Sequence, residues 1–293
     1  MLRGYDDGTF RPAAAVTRAE AIKLIVAPHV DDGVLSSFSH SPFVDVPDGS
    51  WFLPYIEAAR GELGIIAGPP EKTAFRPADS INLAEFLKIC LLSYRVDAQS
   101  SFSDLPDALA PDVLASDWFS PYVRYALASS MIMVDQQGRF NPAVSMTRGD
   151  VAQLMYWYAM YLEGRRTQAL LSEAESDILN LLQMIDQKQM EQAEFASARS
   201  LVVARGALLK NPDAPVVKGA VKTTEGFQFL TQAYRAGMEG RLDDAVAKAQ
   251  QAWATADRAK QLSPDIATLA DQMQSIAQSI AENARGLKAG AQP

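Results

Sequence analysis

The sequence predicts an all-α protein in two parts, and three observations carry that reading. The phrases Phe10-Arg-Pro12, Phe75-Arg-Pro77 and Phe140-Asn-Pro142 recur at a spacing of 65 residues. Each is followed at the same offset by a helix-start signal, Thr17-Arg18-Ala19-Glu20, Asn82-Leu83-Ala84-Glu85 and Thr147-Arg148-Gly149-Asp150. A fixed period means one supersecondary unit used several times. Residues 164–293 differ: rich in Ala, Gln and Leu and poor in Pro and aromatics, they have the composition of long helices.

Along the chain, Thr17-x-x-Glu20 is a capping box, in which the hydroxyl accepts from the N3 amide and the carboxylate accepts from the N-cap amide. Asn82-x-x-Glu85 preserves it, and Thr147-x-x-Asp150 keeps the polarity with a shorter acid. Trp51-Phe-Leu-Pro54 and Trp118-Phe-Ser-Pro121 open segments that read as helices of about three turns, with each proline near the first turn, where it is tolerated. Ile56, Ala59 and Leu63, and then Val123, Leu127 and Ser130, set one face of each. An earlier phrase pairs Phe43-Val-Asp45-Val-Pro47 with Phe102-Ser-Asp104-Leu-Pro106.

That order divides the first part into units at 1–41, 42–100 and 101–163, the first lacking its leading half, so the chain is expected to begin mid-repeat. From Arg165 to Lys210 there is no proline and one glycine, Gly206, which predicts a single long helix of up to 46 residues. Leu171, Ala174, Ile178, Leu181 and Ile185 give it an apolar stripe that Lys188 and Gln192 interrupt. Breaks at Asn211-Pro212, Gly237 to Gly240 and Ser263-Pro264 divide the remainder of 164–293 into the further helices of a small bundle. Ala233-Tyr234-x-x-Gly237, with Ala245, Ala249, Ala252 and Pro264, faintly resembles a tetratricopeptide hairpin, but one copy is no array.

The whole net charge of −8 falls in residues 1–163, while 164–293 are neutral. With a pI near 4.9 the chain is a poor partner for nucleic acid, which needs Lys and Arg against its phosphates. An acidic ligand would have to meet local arginines. The one cysteine, Cys90, excludes an intrachain disulfide and reads as a small buried apolar residue. No apolar run approaches the roughly 20 residues of a membrane-spanning helix.

The recurring order is a Phe-x-Asp phrase, a Trp-led helix, a Gly-containing turn ending in Phe-x-Pro, then Thr-Arg-Ala-Glu and a second helix. It resembles the S-layer homology domain, a bacterial envelope module usually found as three tandem copies, over residues 1 to 162. The resemblance implies a pseudo-threefold helical spindle. It implies inter-repeat grooves that hold cell-wall glycan, commonly pyruvylated secondary polysaccharide linked to peptidoglycan, and an extracytoplasmic location at the wall.

Against that background, capping explains Thr17 and Glu20 but does not ask for Arg18 and Arg148. A guanidinium at N1 of a helix, beside first-turn amides, suits a carboxylate or phosphate; its alternative is a solvated arginine. The second unit has Leu83 there and is expected to have lost that cation. Trp51 and Trp118 are either core anchors or sugar-stacking platforms. Asp45 and Asp104 either accept sugar hydroxyls or hold a loop by its amides. These six residues are the candidate glycan contacts, with no catalytic residue, metal or cofactor expected.

Asp6-Asp7-Gly8 lacks the alternating oxygen ligands of a calcium loop and reads as a turn, and the longer Gly68-Pro-Pro-Glu-Lys-Thr loop replaces it in the second unit. His29 and His40 lack metal-ligand spacing. A glycosidase pair such as Asp45 and Glu85 is the weak enzymatic reading. The leading expectation is a non-catalytic wall anchor. The alternative is an envelope tether or oligomerising spacer, self-associating through residues 165–210.

Overall fold

The computed structural model describes residue 4, residues 7–68 and residues 71–290. In chain order its helices are α1 (Arg18–Val26), α2 (Asp32–Leu35), α3 (Leu53–Arg60), α4 (Leu83–Ser93), α5 (Ser120–Ala128), α6 (Arg148–Leu162), α7 (Thr167–Asp186), α8 (Met190–Lys210), α9 (Pro215–Met238), α10 (Leu242–Leu262) and α11 (Ala267–Gly290). A 3-10 turn, Pro264–Ile266, precedes the last. Extended backbone among the described residues is confined to isolated bridges, so the fold is all-α. Asp6 and Pro69-Pro70, which belong to the two turns read in the sequence, lie outside the described residues.

The capping boxes form as the sequence predicts. Thr17 N donates to Glu20 Oε2 at 2.8 Å while Glu20 N donates to Thr17 Oγ1 at 3.3 Å. Asn82 with Glu85, at 3.2 and 2.9 Å, and Thr147 with Asp150, at 2.9 and 3.2 Å, repeat the exchange at the starts of α4 and α6.

The residue before each cap does something the sequence does not announce. Val16 N donates to Met146 O at 2.9 Å, Met146 N to Ile81 O at 2.9 Å, and Ile81 N to Val16 O at 3.1 Å, closing a ring of three backbone hydrogen bonds. Around it the first-turn amides of each helix donate to the Phe-x-Pro segment of the next copy. Arg18 N reaches Asp79 O at 2.8 Å, Leu83 N reaches Val144 O at 3.0 Å, and Arg148 N reaches Ala14 O at 2.9 Å. The following amides, Ala19, Ala84 and Gly149, reach the carbonyls of Pro77, Pro142 and Pro12 at 3.1, 3.0 and 2.9 Å. Pseudo-threefold order is thus written in backbone donors that would otherwise be orphans of the helix start.

Arg11, Arg76 and Asn141, the middle residues of the three Phe-x-Pro phrases, all hold positive φ, at 52°, 61° and 58°. A left-handed residue ahead of proline turns the chain so that the proline carbonyl faces the neighbouring helix start. Asn tolerates that region better than Arg, so the arginines sit there because the interlock requires it.

By contact the chain forms two compact units, Met1–Ser101 with Asp117–Val123 and Asn141–Tyr156, and Phe102–Ser116 with Arg124–Phe140 and Trp157–Pro293. Phe102–Ser116 and Arg124–Phe140 of the third copy fall in the second of these units. In the first unit Ile22, Ile25, Ile56, Phe86 and Leu87 are buried, as is Cys90, whose thiol burial pushes up to about 12.

The second unit corrects one expectation. Residues 165–210 are not one long helix but the hairpin α7–α8, with Lys188 at φ 60° in the turn. The break falls where Lys188 interrupts the apolar stripe. α8 instead folds back to pack on α7, and that packing outweighed the local propensity for an unbroken helix. α9, α10 and α11 follow, with the breaks where the sequence places them. Ala245, Ala249, Ala252, Ala256 and Ala259 make α10 a buried stripe of small residues along its neighbours.

Gly206 of α8 meets the backbone of Ala128 so closely that an added Cβ would stand 1.6 Å from its carbonyl oxygen. Nearby in the same unit, Glu173 lies half-buried with Ser130 Oγ donating to it at 3.1 Å, and the buried Asp177 accepts from Arg199 Nη2 at 2.9 Å. Burial pushes the Glu173 carboxyl up to about 7, against the pull of Ser130, Arg166 and Arg199.

Two outcomes follow for stability. Gly206→Ala should cost about 3 kcal/mol or more in denaturant unfolding, because backbone, not a pliable side chain, must yield; Gly286→Ala, which meets open space, should gain about 0.5 kcal/mol. Glu173 binds its proton more tightly folded than unfolded, so its contribution is complete below its ordinary value of 4.5 and is lost as pH rises through about 7. Between pH 5 and 8.5 that amounts to about 3 kcal/mol, and melting curves of Glu173→Gln should lack this share of the decline.

Candidate functional site

A cavity of about 570 Å³ opens in the first unit where three copies meet. Arg18 comes from the first copy, Lys72, Phe75, Arg76, Glu85 and Lys88 from the second, and Trp118 from the third. Four cations thus line it against one carboxylate. The balance is opposite to that of residues 1–163, which hold the chain's entire net charge of −8.

Arg18 is built in rather than solvated. Its Nε donates to Phe75 O at 3.0 Å, its Nη1 to Glu85 Oε1 at 3.0 Å, and its guanidinium lies 5.1 Å from the centre of the Phe75 ring. Burial lowers its pKa and Glu85 opposes the shift; the group stays charged at neutral pH. Glu85 therefore serves twice, closing the cap of α4 and orienting Arg18.

The amides beside Arg18 are all occupied, by Asp79 O, Pro77 O and the cap. The helix start is consequently no anion site, and any anion must be met by side chains.

Equivalent residues repeat the arrangement. Arg148 Nε donates to Phe10 O at 3.0 Å and its guanidinium lies 5.0 Å from the Phe10 ring. Lys88 Nζ stands 5.3 Å from the Trp118 ring, and Lys23 Nζ stands 5.3 Å from Trp51 and 5.5 Å from Tyr55. Both tryptophans are 52% exposed, so neither is a core anchor, and each offers a face beside a cation. At the third helix start Leu83 is buried, and Asn141 and Gln153 stand where the other copies have arginine and lysine.

Asp45 accepts from the amides of Phe75 and Arg76 at 2.8 and 2.7 Å. Its carboxylate is committed to holding the groove wall. Asp104 is not its counterpart: Asp112 is, accepting from Phe140 N at 2.9 Å, whereas Asp104 pairs with Arg205 at 2.8 Å. The phrase Phe102-Ser-Asp104 imitates Phe43-Val-Asp45 at the wrong offset. The true offset is 67, the spacing of Trp51 and Trp118, and it pairs Val44-Asp45-Val46 with Pro111-Asp112-Val113.

Lys23, Lys88, Lys72 and Arg76 join these grooves without having been among the candidates expected from sequence. A signal was present for the first two, which repeat at the same 65-residue period as the phrases themselves.

The first unit is thus a helical repeat array whose copies interlock through their backbones, with cations and half-exposed tryptophans lining the grooves between them. Residues 2–22, 42–87 and 111–152 match the S-layer homology domain, so the chain carries three copies of that module. The third match begins after Asp104 and includes Asp112, in agreement with the corrected register.

Among curated proteins the chain is 30% identical over 159 residues to cell surface glycoprotein 1 of Acetivibrio thermocellus, an alignment covering 53% of this chain and 7% of that protein. It is 26% identical over 167 residues to the cellulosome-anchoring protein of the same organism, covering 53% of this chain and 34% of that one. The surface layer protein of Brevibacillus choshinensis is 33% identical over 86 residues, 29% of this chain and 8% of that protein. The chain thus spans about a third or less of the length of these relatives.

The corrected register is testable by stability. Asp45→Ala and Asp112→Ala should each cost about 1 to 3 kcal/mol by leaving loop amides without acceptors, while Asp104→Ala, an exposed ion-pair partner, should cost under about 1 kcal/mol. Thermal unfolding of the three variants distinguishes the assignments.

Proposed function

We propose that the repeats anchor the chain at the bacterial cell surface by holding peptidoglycan-linked wall polysaccharide, acidic and in its commonest form pyruvylated, in the grooves between copies. The carrying observation is the electropositive cavity of Arg18, Lys72, Arg76 and Lys88 beside Trp118, set in a module whose net charge is strongly negative. Cations select the carboxylate of such a glycan, and the tryptophan face takes the apolar side of a sugar ring.

Arg18 is pre-oriented by Glu85 and Phe75 O, so little freedom is lost when a ligand arrives. Arg148, with Lys23 and Trp51, forms the second such set. Leu83, Asn141 and Gln153 make the third helix start unsuited to an anion. Anchoring is also supported at the one carboxylate pair considered for turnover: Asp45 is tied to loop amides and Glu85 to a cap and an arginine.

A spacer role has less support, because the long helix it required is a hairpin of about half the reach. The names of the relatives, an anchoring protein and surface-layer proteins, fit the anchor.

The full chain should sediment with purified bacterial sacculi and lose that retention once acid-labile wall polysaccharide has been stripped. Lys72→Ala with Lys88→Ala should weaken retention while leaving the melting temperature unchanged. Arg18→Ala and Arg148→Ala should each remove a contact worth about 1.5 to 3 kcal/mol and also lower stability, since both arginines hold neighbouring backbone. Equal retention on stripped sacculi would move the ligand to bare peptidoglycan, and no retention on either would end the anchor reading.

A further inference from the structure

The second unit contains a slot that the glycan reading does not use. Its floor is α9, where Val216, Ala220 and Thr224 stand in line over two helical turns, about 12 Å at the standard rise. α7 supplies one wall through Leu171 and Leu179, and the 3-10 turn with the start of α11 supplies the other through Ile266 and Leu269. The cavity is about 390 Å³, and Leu179 is 56% exposed at its edge. The hydroxyls of Thr223 and Thr224 donate back along α9 to the carbonyls of Gly219 and Val221, at 3.0 and 2.9 Å. The floor therefore presents methyl groups and no spare donor.

The mouth has one sign of charge. Glu175 on α7 and Asp265 on the 3-10 turn face it, and no Lys or Arg lines the slot. Because residues 164–293 carry equal numbers of acids and bases, an acid-only rim is not the default of the composition. Neither carboxylate is held in an ion pair among the described residues.

We propose that this slot receives a basic amphipathic helix from a partner protein. Apolar side chains at i, i+3 or i+4, and i+7 span about 10 Å, which matches the two-turn floor. Lysines or arginines on the flanks of that stripe then meet Glu175 on one wall and Asp265 on the other. The small residues of the floor let the incoming side chains seat deeply, and the carboxylates reject an acidic helix of the same apolar pattern.

The probe is a fluorescent synthetic peptide of leucine and lysine, about four helical turns long, with leucines in that register; it is titrated against the full chain and read by anisotropy. Binding should saturate. Scrambling the register, or replacing lysine by glutamate, should weaken it by about tenfold or more. Ala220→Trp, which fills the slot, should abolish it. Should that variant fold poorly, Glu175→Lys with Asp265→Lys changes only exposed side chains and should reverse the preference, favouring the glutamate peptide.

Binding that does not saturate, or that survives both variants, would overturn the proposal. So would concentration-dependent self-association of the full chain, seen without peptide and lost in Ala220→Trp, since it would give the slot to a second copy.

Discussion

The ring of hydrogen bonds among Val16, Met146 and Ile81 is the constraint on which the repeat half depends. Each of these residues stands immediately before an N-cap, so a bond between copies also fixes where a helix begins and which way it points. The six first-turn amides that donate to neighbouring Phe-x-Pro segments extend the same logic outward. A helix start normally leaves donors for water or capping side chains; here they become the joints between copies. No copy could retain its helix start alone without exposing those donors, and this makes the array cooperative rather than modular.

The grooves are a by-product of that closure. Because the Phe-x-Pro segment of one copy lies against the helix start of another, Phe75 and Phe10 are delivered to Arg18 and Arg148, ring face and carbonyl together. The arginines are thus half consumed by structure and half available as charge. Lys88 and Lys23, held against Trp118 and Trp51, remain more exposed and add charge at the mouth without a role in the joint. Leu83 illustrates the separability of the two duties: its amide still donates to Val144 O, so the joint persists where the cation has gone.

What could be read in the sequence was what is local. Thr17 with Glu20, Asn82 with Glu85 and Thr147 with Asp150 are capping chemistry within four residues, and each formed. The turn at Lys188 was only half legible, since the apolar stripe stops there but no glycine or proline marks a bend. Asp104 misled because a short phrase of common residues recurred by chance 59 residues on, while the bulkier Trp51 and Trp118 carried the true offset of 67. The ring itself left no side-chain signature, because it is made of backbone groups that every residue but proline possesses. Nor did the sequence foretell that first-turn amides would be spent on carbonyls, which is why a helix-terminal anion site was expected and side-chain cations were found.

If closure of the ring governs the repeats, the amides of Val16, Ile81 and Met146 should open only when the whole array unfolds. Amide hydrogen exchange of the full chain, resolved by residue, measures this directly. The three should exchange slowly, with a common opening free energy equal to that of global unfolding. Rapid or unequal exchange at one of them, with the other two still protected, would mean that the copies are held together by side-chain packing and that the ring is incidental.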